Sequence, residues 1–202
     1  MARSDDRRKD PHSRAVDTLI RAGRKSEIIE LYESYAKSTH ARYNAIRNEP
    51  GYTDEWKATE LDRTYQTFKS SITAELVEKA RLADADDRGD AARVFGVAGL
   101  PGDTASLTIS ARDAADRAAQ TDTTDDLRAL LERADRSGDE VLARAVAQRA
   151  VEVGSADIVN DFTSTREHLR DPVERLWDRA RRSDDSSATF EVAMHALAVR
   201  PS

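Results

Sequence analysis

Three features of the 202-residue chain predict an all-α fold. Apolar residues recur at three- and four-residue steps, N-cap residues stand ahead of most such runs, and no alternating stretch lies outside a helical pattern. The predicted architecture is a long antiparallel helical hairpin followed by a small bundle of short helices. Residues 1–12 are expected to form a flexible arm, 13–83 the hairpin, 84–102 a linker and 103–202 a small helical domain.

The arm, MARSDDRRKDPH, has no apolar period and mixes Arg7, Arg8 and Lys9 with Asp5, Asp6 and Asp10. Ser13 is expected to cap the first run, in which Val16, Leu19 and Ile20 begin an apolar stripe and Gly23 marks a break. Ile28, Tyr32, Tyr35, Thr39, Arg42 and Ile46 then follow at 4-3-4-3-4 spacing, one stripe of a helix. Asn48-Glu49-Pro50-Gly51 stops that helix, because proline lacks an amide hydrogen and restricts the residue before it. Thr53 caps the next, with Asp54 and Glu55 favourable in its positive first turn. Leu61, Tyr65, Phe68, Ile72 and Leu76 form its stripe. Two such arms joined by a short turn predict an antiparallel rod of roughly 45–50 Å.

Residues 84–102 hold four glycines, one proline and several aspartates, which predicts the domain boundary. Beyond it come short helices. Asp103 opens one, and Thr123 opens another carrying Leu127, Leu130, Leu131 and Ala134. Ser137 and Glu140 form a capping box ahead of Val141, Leu142, Ala145 and Val146, a run that stops at Gly154. Ser155 begins a turn or two through Ile158, Val159 and Phe162, and Asp171-Pro172 caps a helix with Val173, Leu176 and Trp177. Phe190, Met194 and Leu197 mark the last helix. Ser106–Ile109 alternates, but inside a helical pattern.

Composition narrows function. Leu, Ile, Val and Phe together number 37 against 32 alanines, so cores are thin. The first hundred residues carry equal numbers of acidic and basic groups, and the whole net charge of −6 sits in the second half, which does not suit a general nucleic-acid binder. No apolar run reaches membrane-span length and the start is charged, so a cytosolic origin is expected. Zero cysteine removes disulfides, thiolate metal sites and cysteine nucleophiles.

Catalytic patterns fail one by one. Asp84, Asp86 and Gly89 occupy EF-hand loop positions, but Arg88 and Phe95 fall where ligands are needed. Gly96, Gly99 and Gly102 lack the Lys-Ser/Thr pair of a phosphate loop. His12, His40, His168 and His195 are scattered and are read as surface or cap residues. No enzyme, cofactor or metal is expected. Tyr32, Tyr35, Tyr65 and Phe68 are assigned to the hairpin core. Arg7, Arg8 and Lys9 in the arm, with Trp56 and Trp177, are the candidate partner-binding residues, since a basic arm suits acidic surfaces and Trp is favoured at interfaces.

The segments IRNEPGYTDEWKATELDRTY and ERADRSGDEVLARAVAQRAVEVGSADIVNDF resemble parts of small all-α structural proteins of tailed actinobacteriophages. The resemblance implies a virion-associated or head-assembly role, with a place in the virion or the host cytoplasm. The expected function is that of a non-enzymatic structural or interaction protein. Its partners would be other protein subunits, through self-association or phage structural proteins, with no membrane and no sequence-specific nucleic acid. The alternative is a cytosolic helical adaptor or regulator that binds a peptide or nucleic acid.

Overall fold

A computed structural model describes residues 10–182 and 186–201. Its regular structure is helical: α1 (Pro11–Arg21), α2 (Lys25–Asn48), α3 (Asp54–Phe95), α4 (Thr104–Ala119), α5 (Thr124–Ser137), α6 (Glu140–Val153), α7 (Ala156–Ser164), α8 (Arg170–Arg181) and α9 (Ser186–Ala198). A single 3-10 turn, Glu167–Leu169, precedes α8, and no strand occurs among the described residues. None of these helices is long and apolar enough to cross a membrane. The chain divides into two compact units, Met1–Asp84 with Arg182–Ser202, and Ala85–Arg181.

In the first unit, α2 and the early part of α3 meet in antiparallel order. Lys57 Nζ donates to the Arg47 carbonyl, the Tyr35 and Phe68 rings touch edge to face at 6.2 Å, and Lys79 pairs with Glu27 at 3.4 Å. Ile28, Tyr32, Phe68, Ile72 and Leu76 are buried along this seam, which α1 covers with Val16, Leu19 and Ile20. The Tyr43 hydroxyl donates to the Val199 carbonyl at 3.2 Å, and Ala188, Val192 and Val199 join the same core. Gly23 turns the chain from α1 into α2 at φ +75°, where a β-carbon would also meet the Arg182 guanidinium.

Several expectations are corrected here. The linker assigned to 84–102 is helical as far as Phe95. Aspartates and alanines are compatible with a helix, and Val94 is buried in the second unit's core. The domain assigned to 103–202 loses α9, whose small inner face packs on the first unit. Asp10, not Ser13, caps α1, accepting from the His12 and Ser13 amides, so Pro11 and His12 are helical rather than part of an arm. On α2, Tyr43 takes the buried position on the stripe and Arg42 points to solvent. Thr53, Asp103 and Thr123 do cap α3, α4 and α5.

The second unit is a bundle of short helices around Leu131, Val146, Ile158, Phe162 and Leu169. Its alanines, among them Ala143, Ala147 and Ala150, let neighbouring backbones approach closely. Ser137 and Glu140 do not form the expected capping box. Ser137 ends α5, Gly138 turns the chain at φ +69°, and Asp139 caps α6 by accepting from the Leu142 amide. Asp171 is likewise not a cap, because α8 starts at Arg170 directly after the 3-10 turn, and Pro172 is buried within its first turn.

Candidate interaction surfaces

Of the five residues singled out in sequence, Arg7, Arg8 and Lys9 lie outside the described residues. Trp56 stands at the start of α3 and stacks on Tyr52, ring centroids 3.7 Å apart and planes within 15°. Tyr52 is half exposed, so the pair forms a small aromatic plate beside the turn that joins α2 to α3. Trp177 belongs to the second unit, where it lies against the core edge under the Arg181 guanidinium, 4.6 Å from ring centroid to carbon. The two tryptophans therefore sit in different local settings: one is a surface plate, the other a lid on its own core.

Among the described residues of the first unit, α9 carries an exposed apolar face. Phe190 is 68% exposed, Met194 51% and Leu197 50%. Their 4-3 spacing puts them on one face, and Ala193 and Ala198 fill the space between. The opposite face carries Ala188, Val192 and Val199, so α9 is apolar nearly all round; Glu191, which pairs with Lys25 at 2.8 Å, and His195 lie at its flanks. Phe190, Met194 and Leu197 revealed the helix, but with two apolar faces the sequence did not indicate which one faces the core.

A second feature is a node around His12. The ring lies between the Tyr32 hydroxyl, 2.7 Å from Nε2, and Thr73 Oγ1, 3.0 Å from Nδ1. With Tyr32 donating to Nε2, the Nδ1–H donates to Thr73, which is the neutral tautomer. Burial holds the imidazole below its ordinary pKa against the pull of the Asp10 carboxylate, and Lys69 pushes the same way as burial. Burial also pushes the Tyr32 phenol up to about 12. His12 is thus a half-buried packing and hydrogen-bonding group rather than a fully exposed surface histidine.

Arginine clamps dominate the second unit. Arg144 is buried and reaches Glu140 at 2.9 Å, the Gly96 carbonyl at 2.7 Å and the Arg93 carbonyl at 3.2 Å, closing the end of α3. Arg166 bridges Asp135 at 2.7 Å and Glu140 at 2.9 Å. Arg175 grips Asp90 through two 2.7 Å bonds, and Arg179 pairs with Asp87. Each guanidinium bonds a carboxylate, a helix carbonyl or both, so the cluster fixes helix ends. Among the described residues no group of three or more His, Asp or Glu could hold a metal ion. No family model, curated protein or solved structure matches this chain.

Proposed function

We propose that the chain is a non-enzymatic structural protein that binds other protein subunits, copies of itself included, through the outer face of α9. The observation that carries this reading is the uncharged face of Phe190, Met194 and Leu197 in a chain of which 35% is charged. At about half burial each of these side chains offers on the order of 1 kcal/mol, so two copies bring roughly 6 kcal/mol from them. The resemblance to virion-associated and head-assembly proteins of tailed actinobacteriophages supports the same role. In that setting the helical hairpin of α2 and α3 serves as a spacer and the apolar helix as its contact. Sedimentation velocity between 1 and 100 µM tests it: the wild-type chain should sediment faster as concentration rises, and Phe190→Asp should remain monomeric throughout. A wild-type chain that stays monomeric across that range would remove the self-association part of the reading.

A further inference from the structure

Independently of α9, a groove of about 560 Å³ opens on the first unit between α2 and α3. It lies where the predicted α2 stripe turns polar, at Thr39 and Arg42. Across from them on α3 stand Arg63 and Thr64, and Ser71 lines the groove two turns further along, beyond Phe68. The small side chains of Thr39 and Thr64 leave space between the helices, and Tyr35 and Phe68 also line it. The two arginines approach from different helices. Arg42 has no ion pair among the described residues, and Arg63 has only Glu60, at 3.5 Å and largely in solvent. The hydroxyls of Ser38 and Thr67 are spent on helix carbonyls, whereas the described residues provide no partner for those of Thr39, Thr64 and Ser71.

The sequence around the groove is charged in one sense. Residues 34–48 contain Lys37, Arg42 and Arg47 with no Asp or Glu, and residues 63–74 contain Arg63 and Lys69 with none. Elsewhere acidic side chains outnumber basic ones, and the chain carries 38 of them. On α3 the acid-free stretch ends at Asp62 and at Glu75, which accepts from the Tyr35 hydroxyl at 3.0 Å, and Glu60 also lines the groove. Two cations from facing helices, hydroxyl donors and two aromatic rings in the same groove are the components that recognise an oxyanion attached to a flat organic group. The volume falls within the usual span of small-ligand sites.

We propose that this groove binds a small phosphate-bearing ligand, a phosphomonoester on a flat apolar group. Arg42 and Arg63 take the phosphate from opposite walls, displacing Glu60 from Arg63. Thr39 and Thr64 donate to its oxygens, and Tyr35 with Phe68 backs the organic part. Nucleic acid is the competing occupant, and the test separates it. Calorimetric titration of the full chain at low salt would use AMP, adenosine, inorganic phosphate and a 20-nucleotide single strand as probes. AMP is expected to bind more tightly than phosphate or adenosine. Arg42→Gln and Arg63→Gln, both at exposed positions, are each expected to weaken AMP about tenfold with helical content unchanged. Absence of AMP binding at millimolar concentration, or binding untouched by both variants, would overturn the proposal. Inorganic phosphate binding as tightly as AMP would overturn the organic part of the ligand. An oligonucleotide that binds far more tightly than AMP and is lost in the same variants would give the groove to nucleic acid instead.

Discussion

The two units solve the problem of a thin core differently. The first uses few, long helices and large rings: Tyr32, Tyr43 and Phe68 are buried along α2 and α3, and the packing is aromatic against aliphatic. Its polar contacts are mostly single and solvent-facing, as in the Lys25–Glu191 and Lys79–Glu27 pairs. The second uses short helices, many alanines and arginines that reach main-chain carbonyls or paired carboxylates. A long helix satisfies its own backbone over most of its length, so side-chain volume decides its packing. Short helices expose a larger share of unpaired end groups, so capping and guanidinium clamps carry more of the load.

The largest expected effect separates the units. Phe162→Ala empties a fully buried site in the second unit and should cost about 3–5 kcal/mol there. Hydrogen exchange should show lost protection in α5–α8 while the amides of α1 and α2 hold theirs. Equal loss in both would break the division into separate units.

A smaller effect sharpens the contrast in polar contacts. Arg144→Met keeps the stem but leaves the Gly96 and Arg93 carbonyls and part of Glu140 without their donor, at a cost of about 2–3 kcal/mol. Arg63→Met on the first unit, where the guanidinium is mostly in water, should cost well under about 1 kcal/mol. Urea unfolding of the two variants reads the difference, and similar midpoints would show that the clamps do not hold the second unit.

The smallest effect is a pH dependence confined to the first unit. His12 is favoured neutral in the folded chain, so its depressed pKa leaves full stability above the unfolded value of about 6.5. Stability should fall as pH drops from there through the lower folded pKa. The hydrogen bonds from Ser13 hold the Asp10 carboxyl below its ordinary range, so that cap keeps its charge until far more acid conditions. Thermal unfolding at pH 7.5 and 5.5 should show the first unit losing midpoint in the wild type and losing less in His12→Asn. An unchanged pH slope in that variant would place the dependence elsewhere.

Much of the helix inventory was legible because capping is local. Thr53, Asp103 and Thr123 each lie three residues before the amide they receive, and that spacing is visible in one dimension. What escaped depended on partners far along the chain. Residues 84–102 read together look like a breaker-rich linker until Asp87 and Asp90 of their helical part meet Arg179 and Arg175 of α8, some ninety residues later. Glu140 reads as a capping-box residue until Arg144 and Arg166 claim it. The α9 face was ambiguous because small residues are buried where helices approach closely, which leaves the larger ones outside. The groove between α2 and α3 had a trace in sequence, the polar interruption at Thr39 and Arg42, but reading it needed the facing helix.

The first unit is discontinuous in sequence, and that has a consequence for synthesis. A ribosome releases α1, α2 and the start of α3 first, then the whole of Ala85–Arg181, and only then α9. The second unit therefore has all its residues available for folding while the first still lacks the strip of Ala188, Val192 and Val199 that completes its core. During that interval the Tyr43 hydroxyl has no Val199 carbonyl to meet, and a band of aliphatic surface on the first unit stays uncovered. Truncation just ahead of α9 would thus harm the unit made earlier and spare the middle one.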